Sequence, residues 1–149
     1  MTRFRRPSNS KLTALDHANC EDASACLRRY VGVRGLLRHR IHGRVVSNVT
    51  LDELALAPDL VRAVLSDLPP QQVEIVSTSA GSDGLRDANL DAGVVGPASS
   101  NDAAHIAVAT ISNVDLVVSW NFKHIVHFEK MGGHEGVNRL RGYRSPRIY

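Results

Sequence analysis

Apolar and polar positions alternate along this chain with two different periods, which predicts a series of helices and strands. Apolar residues recur at helical spacing through 58–68 and 103–111. The compact segment at 45–47, the brief alternation at 73–76 and the apolar run at 116–118 are typical of strands. The run at 116–118 is continuous, as in a parallel strand that is covered on both faces. We therefore expect an α/β fold with a mostly parallel central sheet.

Capping residues, prolines and glycines predict where the helices begin and end. Thr50, with Glu53 three residues later, forms the pattern of a capping box at a helix start. Residues 99–101 are suited to cap a helix whose apolar positions wrap most of its circumference, so this helix is expected to be buried. Shorter helices are predicted at 85–92, from Phe122 and at about 135–141, and short strands at 12–15 and at the start of 145–149.

Composition places the chain among globular proteins of about one domain. Its 149 residues are 43% hydrophobic and 22% charged, enough to bury a core. No apolar run reaches the ~18 residues that span a bilayer, and the basic start lacks the apolar stretch of a secretory signal. We therefore expect a cytoplasmic protein that does not enter a membrane, with Cys20 and Cys26 as free thiols.

Charge is distributed unevenly along the chain. Residues 1–44 contain ten Lys and Arg against three acidic residues, whereas the rest of the chain has a net charge of −4. A basic segment beside an acidic body can hold a polyanion such as RNA near a metal site. The alternative is that these arginines are merely solvated, or that the segment is poorly folded.

Three polar residues stand where an α/β fold binds ligands, at the carboxyl ends of the strands. Glu53 lies in the helix just after the strand at 45–47, Asp102 lies in the first turn of the buried helix, and Asn121 follows the strand at 116–118. Two of them have a structural alternative: capping for Glu53, and stabilisation by the helix dipole for Asp102. Together they suggest a cluster of oxygen ligands suited to Mg²⁺ or Mn²⁺.

Longer motifs around these residues resemble a known family. Residues 101–110 (NDAAHIAVAT) and 114–125 (VDLVVSWNFKHI) resemble one bacterial branch of PIN-domain proteins, the VapC-like toxins of type II toxin–antitoxin systems. Asn138 and residues 141–143 fit the late Asn…Gly-Tyr position of that branch, and residues 46–54 fit its second motif. The resemblance covers about residues 43–149.

The resemblance implies a three-layer α/β/α domain that cleaves single-stranded RNA with a divalent metal. Carried over to this chain, Glu53 and Asp102 would be the metal ligands, with Asn121 as a third catalytic residue that orients water or a ligand. The implied partners are RNA, a cognate antitoxin and a second copy of the chain. A PIN-like module without catalysis, which binds RNA or antitoxin, is the alternative, as is a degraded remnant.

The front of the chain departs from the family. PIN domains open with a strand that ends in an acidic ligand, and residues 1–42 contain no such motif, so we treat them as a divergent basic segment before a PIN-like domain at 43–149. Asp16 is the nearest substitute for the missing acid, and an ordinary loop Asp is the alternative. His105 could be a core histidine or a general base, and His124, His127 and His134 match no zinc spacing.

Overall fold

The computed structural model of this protein describes residues 12–15, 43–66, 68–119, 121 and 123–149. Within these residues the strands are β1 (Leu12–Leu15), β2 (Arg44–Ser47), β3 (Val73–Val76), β4 (Leu116–Ser119) and β5 (Arg147–Ile148). The helices are α1 (Asn48–Ala55), α2 (Asp59–Ser66), α3 (Ala80–Asp91), α4 (Ser100–Ile111) and α5 (Phe128–Leu140). The expectations for residues 1–11, Asp16, the two cysteines and Phe122 fall outside the described residues.

The strands form one parallel sheet in the order β3-β2-β1-β4-β5. This confirms the predicted α/β class and the parallel sheet. The short run at 12–15 is the central strand, and its residues Leu12 to Leu15 pair with Leu116 to Ser119 of β4. The sheet therefore takes its centre from the part of the chain before residue 43.

The two strands beside β1 are covered on both faces. All four residues of β2 are buried, as are Val117 and Val118, neighbours whose side chains point to opposite faces of β4. This confirms the interpretation of the continuous apolar run. The face that contains Val45 and Val117 packs against Ile106 and Ala109 of α4. Residues 103–110 of α4 are all buried, as its apolar circumference predicted.

The start of α1 differs from the prediction. Thr50 is not the N-cap, because the helix begins at Asn48 and Ser47 caps it, with the Ser47 hydroxyl accepting a hydrogen bond from the Thr50 backbone N–H at 3.1 Å. Ser47 is the last residue of β2, so strand and helix meet without a loop. Glu53 is therefore not part of a capping box, and it lies in the second turn of α1.

The start of α3 also lies earlier than predicted, at Ala80 instead of about Leu85. A capping box of two serines nucleates it: Ser79 accepts from the Ser82 N–H at 3.3 Å, and Ser82 accepts from the Ser79 N–H at 2.7 Å. Serine in place of the usual Glu or Gln, together with Gly81 and Gly84, hid this helix start in the sequence.

One longer helix stands in place of the short one predicted at about 135–141, and residues 123–127, where the helix predicted from Phe122 would continue, are not helical. Residues 123–125 form only a turn, and α5 runs from Phe128 to Leu140 through three glycines. Glycine costs about 1 kcal/mol relative to alanine inside a helix. Packing offsets that cost, because His134, Val137 and Asn138 of α5 are buried.

Two of these glycines give a matched test of packing. A Cβ atom added to Gly133 would lie 2.8 Å from Val94 Cγ1, whereas one added to Gly136 would meet nothing within 4 Å. We expect Gly136→Ala to raise the free energy of unfolding by about 1 kcal/mol through helix propensity. The free energy of unfolding of Gly133→Ala should be ~1–3 kcal/mol lower than that of Gly136→Ala, because the stiff, buried Val94 cannot move away easily. Urea unfolding of the two variants measures the difference, and equal stabilities would contradict the close approach.

Candidate active site

The candidate site lies where the chain order of the sheet reverses. Strands β1, β2 and β3 follow one another toward one edge, and β4 and β5 lie on the other side of β1. In parallel sheets of this kind the crevice at such a reversal, outside the carboxyl ends of the strands, is where ligands bind. Ser47 and Ser119 end β2 and β4 at that edge, and Leu15 of β1 pairs with Ser119.

Glu53 reaches this edge from α1. Its Oε2 atom lies 3.1 Å from Nε2 of His105 on α4, and the two side chains are 14% and 3% exposed. The distance is that of an ion pair, although neither ring nitrogen of His105 makes a hydrogen bond of normal geometry. The contact joins two helices that are far apart in sequence.

Asp102 reaches the same edge from the first turn of α4. This helix leads into β4, so its N-terminus lies at the carboxyl ends of the strands. Burial raises the pKa of the Asp102 carboxyl above its usual range. His124, a hydrogen bond from Ser99 and His105 lower this pKa, and the nearby Glu53 raises it further. Glu53 is therefore close enough to disfavour ionisation of Asp102, an effect that a bound cation would relieve.

Asn121 holds Asp102 in place. Its side-chain Nδ2 donates to Asp102 Oδ1 at 2.7 Å, and its Oδ1 accepts from the His124 backbone N–H at 3.0 Å. A carboxylate can only accept and a backbone N–H can only donate, so these partners fix the orientation of the amide. The amide oxygen is engaged in the turn after β4. In this geometry Asn121 orients Asp102 through its amide nitrogen.

These groups line one cavity of about 410 Å³. Its polar wall contains the three residues proposed from the sequence, two histidines that were not assigned a place there, and one serine: Glu53, Asp102, Asn121, His105, His124 and Ser99. The structure thus brings together Glu53, Asp102 and Asn121. The signal for His105 was its position three residues after Asp102, on the same side of the helix.

The side chains of the cavity suit an open Mg²⁺ site better than a site in which the protein supplies every ligand. Among the described residues, no group of three His, Cys, Asp or Glu side chains is arranged to hold a metal ion. Mg²⁺ is commonly held by one or two carboxylates, with water and substrate phosphate completing its shell, so Glu53 and Asp102 fit that pattern. Asp16, the third carboxylate considered from the sequence, lies outside the described residues.

The remaining histidines do not form a second metal site in the part of the chain that the structure describes. His134 is buried and contacts Asn89, with His134 Nδ1 and Asn89 Oδ1 2.8 Å apart. His127 is exposed at the N-cap of α5, where its side chain makes no capping hydrogen bond.

No protein-family model, curated protein or solved structure matches this chain. The likeness to PIN domains therefore rests on the sequence motifs alone. Among the described helices, none is both long enough and apolar enough to cross a membrane.

Proposed function

We propose that this protein is a Mg²⁺- or Mn²⁺-dependent endoribonuclease of the PIN-domain toxin type. The observation that carries the proposal is the meeting of Glu53 and Asp102 in one cavity at the reversal point of a parallel sheet. The two residues come from helices about fifty positions apart, and they are the two metal ligands that the motif resemblance implies. A shared role in binding a metal ion would explain why two acidic side chains lie close together despite their mutual repulsion.

The proposed chemistry divides between the metal and the chain. A bound Mg²⁺ or Mn²⁺ would supply a Lewis acid beside the scissile phosphate and lower the pKa of water at the site. Glu53 and Asp102 would hold the ion, and both must be ionised to do so. Asn121 keeps Asp102 pointed into the cavity through the 2.7 Å hydrogen bond. His124, whose presence lowers the pKa of Asp102, favours the ionised form that a metal requires.

The family proposal carries further expectations. In a PIN-like domain, helices on both sides of the sheet would form a three-layer α/β/α arrangement, with RNA lying across the carboxyl edge. The partners would be single-stranded or structured RNA in the cytoplasm, an antitoxin that blocks the cavity, and a second copy of the chain.

A non-catalytic module is the second candidate. The described residues supply two carboxylates to the cavity, and the charge of a metal site largely sets its affinity for the ion. If no third acid joins them, the protein would bind RNA or antitoxin without cleaving it, or would be a remnant of a nuclease.

Cleavage of an end-labelled single-stranded RNA tests the proposal. We expect products with Mn²⁺ or Mg²⁺, and none with EDTA. Glu53→Gln should lower the rate by more than the ~10–100-fold that loss of an outer-shell partner costs, because it removes a ligand charge. Asp52→Asn is the matched control, since Asp52 is the exposed neighbour of Glu53 on α1. Cleavage that persists in EDTA would contradict the metal, and RNA binding without cleavage by folded protein would favour the module.

The same cleavage assay tests whether Asp16 is a third acidic residue of the site. If Asp16 supplies the missing acid, Asp16→Asn should reduce cleavage as strongly as Glu53→Gln. Activity equal to wild type would leave Glu53 and Asp102 as the acids of the site and assign Asp16 to an ordinary turn.

A further inference from the structure

His105 is a polar residue in a position that packing alone does not explain. Its side chain is 3% exposed and its neighbours in α4, Ala103, Ala104, Ile106 and Ala107, are all buried apolar residues. A buried polar group that lacks well-formed hydrogen bonds destabilises a protein, by ~1–3 kcal/mol in mutational data. An apolar side chain would make this buried part of α4 more stable, so packing stability does not account for an imidazole at this position.

The polar contact that the structure gives His105 is with Glu53, at 3.1 Å. Asp102 has a corresponding nitrogen partner in Asn121, at 2.7 Å. Each carboxylate of the site therefore has a nitrogen-bearing side chain beside it. Such contacts offset part of the repulsion between Glu53 and Asp102.

We propose that His105 is a positioning residue, which holds the Glu53 carboxylate beside Asp102 so that the pair is ready to receive a divalent cation. The inference rests on the nuclease proposal and adds a residue to its site. Organised ligands bind a metal more tightly, because less ordering remains to be done when the ion arrives. His105 acts through Glu53 and does not contact the reacting atoms.

Burial distinguishes this role from general-base catalysis. The side chain of Glu53 is 14% exposed and that of His105 only 3%, so a molecule entering the cavity has more access to Glu53 than to the imidazole. A general base must come within hydrogen-bonding reach of the proton it removes. A positioning group needs only its contact with Glu53.

Two amide substitutions test the proposal, because they differ by one methylene group. In His105→Gln the amide nitrogen can reach the place of Nε2, whereas in His105→Asn it cannot. Mn²⁺ binding is measured from the electron paramagnetic resonance signal of free Mn²⁺, and RNA cleavage is measured on the same samples. His127→Gln, at an exposed histidine away from the cavity, is the control.

We expect His105→Gln to bind Mn²⁺ within about threefold of wild type and to cleave RNA. His105→Asn should bind Mn²⁺ ~10–100-fold more weakly, the loss typical of residues that orient metal ligands, and excess Mn²⁺ should restore cleavage. The unfolding midpoints of both variants, measured in urea, show whether either effect comes from loss of the fold.

Three results would overturn the proposal. Mn²⁺ affinity in His105→Asn equal to wild type would show that Glu53 needs no partner. Normal Mn²⁺ binding without cleavage in His105→Gln would show that the imidazole carries a proton and is catalytic. Wild-type protein that binds no Mn²⁺ and cleaves no RNA would remove the nuclease proposal as well, and this outcome is recognised before any substitution is made.

Discussion

Replacement of Asp102 by Asn is expected to abolish RNA cleavage while the protein stays folded and becomes more stable at neutral pH. The new side chain has nearly the same shape, and its carbonyl oxygen can still accept the hydrogen bond from Asn121. What it loses is the negative charge that a divalent cation needs. The rate should therefore fall by more than the ~10–100-fold that loss of an outer-shell partner costs.

The gain in stability follows from the pKa of Asp102, which burial raises above its ordinary value. A carboxyl with a raised folded-state pKa favours folding when it is protonated, and this contribution is lost as pH rises through the folded-state pKa. The ionised form of this half-buried carboxylate therefore lowers the stability of the folded wild-type protein. Asparagine has no charge to bury, so Asp102→Asn should be the more stable protein at pH 7, and the difference should shrink toward acidic pH.

Urea unfolding at several pH values, with cleavage assays at pH 7, measures both effects. Asp52→Asn, at an exposed position of α1, should change neither property. Full activity in Asp102→Asn would remove Asp102 from the metal site. A loss of activity accompanied by a loss of stability would instead indicate that Asp102 has a structural role, such as stabilising the N-terminus of α4.

Acid is expected to destabilise the protein through His134, a residue of α5 that is only 1% exposed. Burial and the positive charge of Lys130 lower the pKa of His134 from 6.5 to about 4, while a backbone contact with His124 opposes them. Above pH 6.5 the histidine is neutral in both the folded and unfolded chains and has no effect. Between pH 6.5 and 4, His134 is protonated in the unfolded chain but stays neutral in the folded protein. The free energy of unfolding therefore falls by about 3 kcal/mol over this range.

The difference between wild type and His134→Asn isolates this effect from other titrating groups. Asparagine can still donate to Asn89, which contacts His134 Nδ1 at 2.8 Å, but it does not titrate in this range. The free energy of unfolding of the variant, followed by urea unfolding, should therefore decrease less steeply below pH 6.5. Parallel pH profiles for the two proteins would contradict the buried neutral state, and His127→Gln should leave the wild-type profile unchanged.

Local sequence patterns identified most of the elements around the candidate site. The apolar circumference of 103–111 predicted a buried helix, and the continuous run at 116–118 predicted a strand covered on both faces, because each pattern has one stable solution in a globular core. The errors were at helix starts. In the sequence Ser47 and Ser79 resemble ordinary polar loop residues, but in the structure both cap helices. Helix α5 begins at Phe128, before the predicted start near residue 135.

The sequence by itself determined the class of fold, the order of its main elements and the placement of Glu53, Asp102 and Asn121 near the ends of strands. Those properties depend on hydrophobic periodicity and local capping, which act over a few residues. Only the tertiary structure decided that β1 is the central strand, that Asn121 turns its nitrogen toward Asp102, and that His105 stands against Glu53. Those properties depend on groups far apart in the chain, whose meeting is set by strand pairing and helix packing.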